Sequence, residues 1–547
     1  MEPPPLTRSQ LEGILASPRV ISKMIRQLFF SVVLSLIATA ALAAEMTRPG
    51  HAPGNGPISA GVFRLWPNVA PALRQSAQRP NGVAVLNSSG QVAFVTTKYS
   101  GAVTNSAGLS SSSPVFDGAA AGMDATGATD NQSKFSTLLT AATASASGGY
   151  IHVGCGTYLF DSSMSATVAN AEKLIIRGDG SYCTKFLFHN TNGLTINHAG
   201  KFSASELDGI SFLTDAANSY NALTITSTSG TSQPGQSPVN DYRDLTFIGA
   251  DCAPSDTCSD FWANAFTMTG ISNVNIWGGL CAGLPNAFGN GNCYSFSGTG
   301  KGAYPASIAL NFFGTLAYGC NVALTYGSYA EGITLNAVNF TACHKGVNTA
   351  SSTADQDGLD ISNSQMETDV CGVCITNTTF NNENIFGSTF IPHTGDGIQV
   401  GGVGFNINGN SISGADSDVG NAINFPLGTS GLGGIVQNNQ LGNTQYGINV
   451  AAGIGVIAIF KDNRWGAPGR GTSAKFNIGS RVTGGIEILD REPATFAQLP
   501  ACSTLTAYSQ MFVIDAPTSS AYYGEVRTGR GTQRSTLACD AAHWRID

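Results

Sequence analysis

The chain has 547 residues, of which 11% are charged and 42% are apolar, with 66 glycines and a formal net charge of −8. So few charges beside that apolar content argue against a disordered chain and favour a packed β protein. The acidic balance argues against nucleic acid as a partner.

The N-terminus has the pattern of an export signal. Arg26 precedes an apolar run over 28–42, and Ala41-Leu42-Ala43 before Ala44 has the pattern of a small-residue cleavage site. This pattern predicts cleavage near residue 44. The run is short and interrupted for a membrane anchor, which is the alternative. We therefore interpret 1–44 as an upstream extension plus signal peptide. We expect a secreted, periplasmic or cell-surface protein with no membrane contact after cleavage.

Residues 45–113 are rich in Pro, Gly and Ser, and we interpret them as an N-terminal extension with a few short strands such as Gln91–Thr96. A helix is predicted next, over Gln132–Ser145, with Thr129 or Asp130 as its N-cap. Its apolar residues lie on one side, as expected for a helix that covers the open end of a stack of repeats.

Short segments with alternating apolar residues recur at a nearly constant step. Their first apolar residues are separated by 25, 26, 25, 25 and 25 residues: Val322, Val347, Val373, Ile398, Ile423 and Ile448. The alternation has the period of strands, and Gly and Asn lie between the apolar stretches, as at tight corners. A fixed period of this length marks units that bury their apolar side by stacking. We predict an all-β, single-stranded parallel β-helix over 114–490.

The period ends near residue 490. Residues 491–547 are predicted to form a small β module closed by one disulfide, either as a cap or as a sugar-binding accessory. The full prediction is a β-helix with an N-terminal capping helix and a small C-terminal β module.

The twelve cysteines of an exported chain favour disulfides. We expect Cys252 to pair with Cys258, Cys281 with Cys293, and Cys502 with Cys539, and two of Cys320, Cys343 and Cys371 to bridge rungs. The segment Cys371–Cys374 has the spacing of a redox or zinc motif. No second CxxC or histidine pair accompanies it, so we interpret it as one strand and its corner.

Acidic residues at equal phase in successive rungs are the candidates for catalysis, because such residues lie about 4.8 Å apart. Glu367, His393 and Asp418 are each twenty residues beyond the first apolar residue of their rung. Asp357 and Glu383 share phase ten. Two carboxylates suit a glycosidase, and an imidazole between acids suits general acid-base chemistry. The alternative for all of them is that they are solvent-exposed turn residues without a catalytic role.

Asp396 precedes a strand in the same region and is a further catalytic candidate, with a plain turn residue as the alternative. The proposed chemistry requires no cofactor. Calcium is an option at Asp355, Asp357 and Asp360, because clustered acidic oxygens suit this ion. A lyase would need a basic residue, and Lys345 is the basic residue in the rungs near the acidic cluster.

The segment from Val115 to about Phe188 resembles the pectate lyase superfamily, in particular its rhamnogalacturonase-like and glycosyl hydrolase 28-related branch. The resemblance rests on Val115-Phe-Asp-Gly118, Thr129-Asp130, the predicted helix, Gly148-Gly149 and Gly156-Thr-Tyr-Leu159. It implies a right-handed parallel β-helix and a carbohydrate-related role. Asp357-Gly-Leu-Asp360 also looks like the polygalacturonase segment whose Asp acts near the scissile bond, and Gly395-Asp396-Gly397 resembles the Gly-Asp-Asp motif that follows it in that family.

These features predict an exported enzyme that cleaves a polysaccharide, with a glycoside hydrolase favoured over a polysaccharide lyase because acids outnumber candidate bases. The alternative from another class is a non-catalytic secreted or surface β-helix that binds glycans or builds a matrix. A phage-like tailspike depolymerase is a third hypothesis, and the export signal argues against it. The oligomeric state is left open.

Overall fold

The computed structural model describes residues 82–86, 92–96 and most of 114–546. Within the last range, the description leaves out 146–147, 201, 228–237, 253–258, 284–289, 299–306, 350–355, 378–379, 416–419, 427–431, 467–473, 481, 495–498, 500, 504–505, 507–508 and 517–532. The export signal, Cys258, Asp355 and Asp418 therefore lie outside the described residues.

Two antiparallel strands belong to a compact unit of their own, β1 (Gly82–Leu86) and β2 (Val92–Thr96). Gly82 pairs with Thr96 and Leu86 pairs with Val92. The second strand confirms the prediction of a strand at this position in the N-terminal extension.

The predicted helix is present as α1 (Gln132–Thr143). Its buried side chains are Phe135, Leu138, Leu139 and Ala142. Phe135 lies edge-on to Phe160 and Phe186, with ring centroids 5.8 and 5.3 Å away, so the helix packs on the first rungs as a cap does. The predicted N-cap was wrong, because Asn131 occupies the N-cap position and its side chain makes no capping hydrogen bond. Asp130 instead accepts a hydrogen bond of 2.9 Å from the backbone N–H of Gln132.

Apart from the last three strands of the chain, the remaining strands build a right-handed parallel β-helix in which each rung passes over three faces in a fixed order. The first face contains β3 (Val115–Asp117), β5 (Gly149–Val153), β8 (Lys173–Gly178), β11 (Ala204–Thr214), β13 (Asn240–Gly249), β15 (Val274–Trp277), β18 (Ser307–Phe313), β21 (Ala330–Asn336), β23 (Asp357–Ser362), β25 (Asn381–Phe386), β28 (Val403–Asn408), β31 (Leu432–Gln437), β34 (Gly455–Lys461) and β37 (Thr483–Ala494).

The second face contains β4 (Thr126–Asp130), β6 (Gly156–Phe160), β9 (Thr184–Phe188), the later parts of β11 and β13, β16 (Leu280–Ala282), β19 (Leu316–Tyr318), β22 (Asn339–Thr349), β24 (Gln365–Cys374), β26 (Thr389–Pro392), β29 (Ser411–Ser413), β32 (Gln440–Gly442) and β35 (Arg464–Trp465).

The third face contains β7 (Met164–Val168), β10 (Leu194–His198), β12 (Asn221–Ser227), β14 (Asn264–Thr269), β17 (Asn292–Ser297), β20 (Val322–Tyr326), the later parts of β22 and β24, β27 (Asp396–Gln399), β30 (Asn421–Phe425), β33 (Tyr446–Val450) and β36 (Ala474–Ile478).

The predicted register of the third face holds for five of its six positions. Val347, Val373, Ile398, Ile423 and Ile448 pair in succession and form one interior column. The first position was wrong, because Val347 pairs with Leu324, and Val322 pairs with Lys345. The step into the regular part is therefore shorter by two residues than the constant period suggested.

Rings and amides fill the interior in rows that run along the stack. Phe160 stacks on Phe188, and Phe212 stacks on Phe247, with centroids 5.2 and 5.3 Å apart. A second row consists of buried amides: Asn410 donates to Asn439 at 3.0 Å, and Asn439 donates to Asn463 at 2.9 Å. Such rows satisfy buried polar groups that would otherwise destabilise the corner.

The disulfides confirm two predicted local pairs, Cys281–Cys293 and Cys502–Cys539, and the predicted rung bridge is Cys320–Cys343. Cys252 is also disulfide-bonded, but its predicted partner Cys258 lies outside the described residues. Two further bridges were not predicted. Cys155 pairs with Cys183 on neighbouring rungs, and Cys371 pairs with Cys374, so the interpretation of that segment as only a strand and its corner was incomplete.

The parallel stack ends at β37, whose far end pairs in parallel with β38 (Gln510–Ala516). Two antiparallel strands follow, β39 (Gln533–Cys539) and β40 (Trp544–Ile546). Within the described residues, no helix is long and apolar enough to cross a membrane.

Candidate functional site

Two carboxylates project from the same side of β24 where the chain turns from the second face to the third. Glu367 and Asp369 are half-buried, and they alternate with the buried residues Met366 and Thr368. Side chains two residues apart on a strand lie on one side, with Cα atoms roughly 6.6 Å apart. The two carboxylates therefore face the same solvent.

Each carboxylate has an imidazole from a neighbouring rung beside it. His393 Nε2 lies 3.0 Å from Glu367 Oε1, in hydrogen-bond geometry. His344 Nδ1 lies 3.0 Å from Asp369 Oδ2, which is ion-pair distance, although the angles do not meet hydrogen-bond geometry. Thr394 Oγ1 donates to Asp369 Oδ1 at 2.6 Å. These five side chains form what we call the corner cluster.

The backbone fixes the corner cluster across rungs. The N–H groups of His393 and Thr394 donate to the carbonyl groups of Thr368 and Asp369 at 2.8 and 3.0 Å. His344 N–H donates to Cys320 at 2.8 Å, and its neighbour Cys343 is bridged to Cys320. The side chains are thus held by ladder bonds and a disulfide.

The corner cluster is open to solvent on all of its members. The exposed side-chain fractions are 31% for Glu367, 21% for Asp369, 27% for His393 and 39% for His344. Carboxylates and imidazoles that are both rigid and accessible are suited to donating and accepting protons. The sequence prediction that Glu367 and His393 would meet is confirmed as a contact. Asp418, the third predicted member of that column, lies outside the described residues.

The predicted pairing of Asp357 with Glu383 was wrong. Asp357 is in register with Glu331 and Asn381 on the neighbouring rungs, and Glu383 is in register with Leu359. Glu383 consequently points into the interior and is 1% exposed. Burial raises its pKa to about 8, and neither carboxyl oxygen has a hydrogen-bond partner among the described residues.

Asp396 lies on the third face as a strand residue, 6% exposed. Its carboxylate accepts hydrogen bonds of 2.7–2.8 Å from Gln399, from Asn421 and from Asn424. Asn424 in turn accepts from Asn449, so Asp396 ends a ladder of amides. A carboxylate bound on both oxygens and buried in this way has the geometry of a structural anchor.

The acidic segment proposed for calcium is only partly described, because Asp355 lies outside the description. Asp357 and Asp360 differ in exposure, and Asp360 accepts a hydrogen bond of 2.8 Å from Asn384. Within the described ranges, no group of three or more His, Cys, Asp or Glu side chains has an arrangement that would hold a metal ion.

Sequence reasoning missed three members of the corner cluster: His344, Asp369 and Thr394. A signal for them was present, because the three are spaced by 25 residues each. They were missed because the catalytic candidates were taken only from phases ten and twenty, and these three residues lie at neither phase. The same period applied to every polar residue before the third face identifies them.

No family model matches the chain, and neither does any curated protein. Solved structures do match. The A-module of the Azotobacter vinelandii mannuronan C-5 epimerase AlgE6 is 13% identical, with a TM-score of 0.41 over 69% of this chain and 100% of its own. The Dettilon tailspike protein is 11% identical, with a TM-score of 0.42 over 79% and 91%.

The Yersinia enterocolitica family 28 exopolygalacturonase also matches, at 10% identity and a TM-score of 0.38 over 75% of this chain and 83% of its own. All three matches are distant. A function is therefore inferred from the side chains of this protein.

Proposed function

We propose that this protein is an exported glycoside hydrolase that cleaves an acidic or mixed polysaccharide at the corner cluster. The observation that carries the proposal is the pair Glu367 and Asp369, on one side of one strand, each with an imidazole from the next or preceding rung. Hydrolysis of a glycosidic bond needs one group that gives a proton and one that takes a proton.

The two carboxylates have different surroundings, which suggests different roles. Glu367 contacts His393, so the imidazole can resupply its proton, and Glu367 protonates the departing glycosidic oxygen. Asp369 accepts a hydrogen bond from Thr394, which orients it to take a proton from water. The water oxygen bonds to the anomeric carbon as the glycosidic bond breaks, and two sugar ends are released.

Export is supported by the cysteines. Pairs on neighbouring rungs, such as Cys155–Cys183 and Cys320–Cys343, persist in an oxidising compartment. A polysaccharide outside the cytoplasm is then the expected substrate. We propose that the reaction needs no cofactor, with calcium as an option at the acidic segment near Asp357.

The test is to incubate the mature protein with a panel of acidic and neutral polysaccharides, following new reducing ends and the absorbance of unsaturated uronates. Reducing ends without unsaturation are expected. Unsaturated products would instead establish a lyase. The absence of both products would favour the glycan-binding alternative.

Variants then locate the chemistry. Glu367→Gln and Asp369→Asn should each lower the rate by at least about a hundredfold, since a general acid or base contributes factors of this size. Glu172→Gln is the matched control, because it is a change of the same type in the turn between β7 and β8 of the β-helix. Wild-type rates in both cluster variants would refute the proposed site.

A further inference from the structure

An aromatic and charged column runs along the outer side of the first face, away from the corner cluster. Arg243, Trp277 and Phe313 occupy equivalent positions on three successive rungs. Arg177 and Asp208 precede them in the same column. Because neighbouring rungs are about 4.8 Å apart, these side chains form a continuous surface.

The indole of Trp277 is presented as a rigid plane. Its ring is stacked on Phe313, with centroids 4.2 Å apart and planes 19° apart. Trp277 Nε1 donates to Asp241 Oδ1 at 3.2 Å, and the residue is still 39% exposed. One ring face is therefore packed against protein, the edge is pinned by a hydrogen bond, and part of the ring remains open to solvent.

Hydrogen-bonding groups surround the indole. Arg243 donates to Asp241 at 3.1 Å, and its guanidinium carbon lies 5.8 Å from the Trp277 ring centroid. Asn275 donates to Asp241 at 3.4 Å and accepts from Asn311 at 3.1 Å. Arg243 Nε is buried and has no hydrogen-bond partner among the described residues. We call Asp241, Arg243, Asn275, Trp277 and Phe313 the indole platform.

We propose that the indole platform is a sugar-binding subsite, separate from the corner cluster, in which a sugar ring packs against the exposed part of Trp277 between Phe313 and Arg243. A sugar ring offers C–H groups to the exposed part of the indole and hydroxyl groups to the surrounding amides, guanidinium and carboxylate, which matches this arrangement. A protein partner would require a broader apolar centre than one indole.

That the bound sugar belongs to the polymer cleaved at the corner cluster rests on the proposed function. Trp277 lies three rungs before the rung of Asp369, counted through Phe313, Asn336 and Ser362. At about 4.8 Å per rung, the offset along the axis is roughly 15 Å. Because the platform is on the first face and the corner cluster lies between the second and third faces, a chain that occupies both must also pass around the stack, so a short oligosaccharide occupies only one of them.

The test uses native gels that contain polygalacturonate, carboxymethylcellulose, xylan or dextran, one polymer in each gel. The wild-type protein should be retarded by at least one polymer, and Trp277→Ala should bind that polymer about tenfold more weakly. Phe386→Ala is the matched control, because Phe386 is an exposed aromatic residue further along the same column. It should be retarded like the wild type.

Unchanged retardation of Trp277→Ala, or no retardation of the wild type in any gel, would overturn the inference. Thermal unfolding of both variants checks that they fold. The same gels run with Asp369→Asn separate this inference from the proposed function. Asp369→Asn should be retarded like the wild type, whereas Trp277-dependent retardation of a wild-type protein that releases no reducing ends from that polymer would support the platform and refute the hydrolase.

Discussion

Glu383 is in register with Phe405 on the next rung and with Leu359 on the preceding one, so a carboxyl group lies within an interior column of hydrophobic side chains. It is fully buried, and burial raises its pKa from 4.5 to about 8. In the folded protein this group is therefore a neutral acid near pH 7.

We predict that this acid makes the folded protein less stable as the pH rises. The pKa is higher in the folded state than in the unfolded one, so the stabilisation is complete below about pH 4.5 and is lost progressively up to about pH 8. Glu383→Leu should remove this dependence and raise the stability near pH 7 by roughly 3 kcal/mol. Urea unfolding at several pH values measures both effects, with Glu172→Gln as the control. An unchanged pH profile in Glu383→Leu would contradict the prediction.

Asp396→Ala is expected to destabilise the protein by roughly 3 kcal/mol, because it leaves several buried donors without their charged acceptor. Asp360→Asn, which alters an exposed acceptor of one hydrogen bond, should have little effect. Chemical denaturation measures both. Loss of polysaccharide cleavage at unchanged stability would instead return Asp396 to the catalytic role that its sequence suggested.

His152 lies between two carboxylates, 3.0 Å from Asp117 and 2.9 Å from Asp179. Burial lowers the pKa of His152, but the hydrogen bonds with Asp117 and Asp179 outweigh it and leave the pKa raised above 6.5. The stabilisation is therefore present below about pH 6.5 and lost as the pH rises through the raised value. The melting temperature should fall over that window, and less so in His152→Gln. His543→Gln is the comparison, and equal slopes in the two variants would rule out this explanation.

Thr394→Val should lower the cleavage rate by about tenfold without changing the melting temperature, because it removes the hydroxyl that orients Asp369. Thr334→Val, on the outer side of the first face, is the matched control. The effect is expected mainly in kcat. An effect confined to KM would indicate that Thr394 contacts the substrate instead.

The sequence predicted the third face well because rung lengths there are nearly constant, from Val347 to Ile448. Glu367 and His393 were found because each lies only a few residues before the next apolar position of this face, so little error accumulates. Asp357 and Glu383 were mispaired for the opposite reason. Both follow a turn of variable length, so the constant period gave a register that was wrong by two residues. In the actual register Glu383 pairs with Leu359, not with Asp357, and lies in the core.

The local backbone of the first face was also hidden from the sequence. Gly358 and Asn382 have φ values of +70° and +59°, and such left-handed positions interrupt the alternation of side chains. The Cys155–Cys183 bridge was missed because the early rungs differ in length, unlike those from 347 onward, and so offer no common period. The charged and aromatic residues around Trp277 were missed for the same reason.

The two ends of the stack have consequences for how the protein behaves at high concentration. A parallel stack with bare terminal strands would accept a further strand from another molecule and grow into a fibre. Here α1 packs on the first rungs, and β38 to β40 change the sheet from parallel to antiparallel beyond β37. Removal of the residues after 494 would leave the edge of β37 unpaired, and concentration-dependent self-association is the expected result.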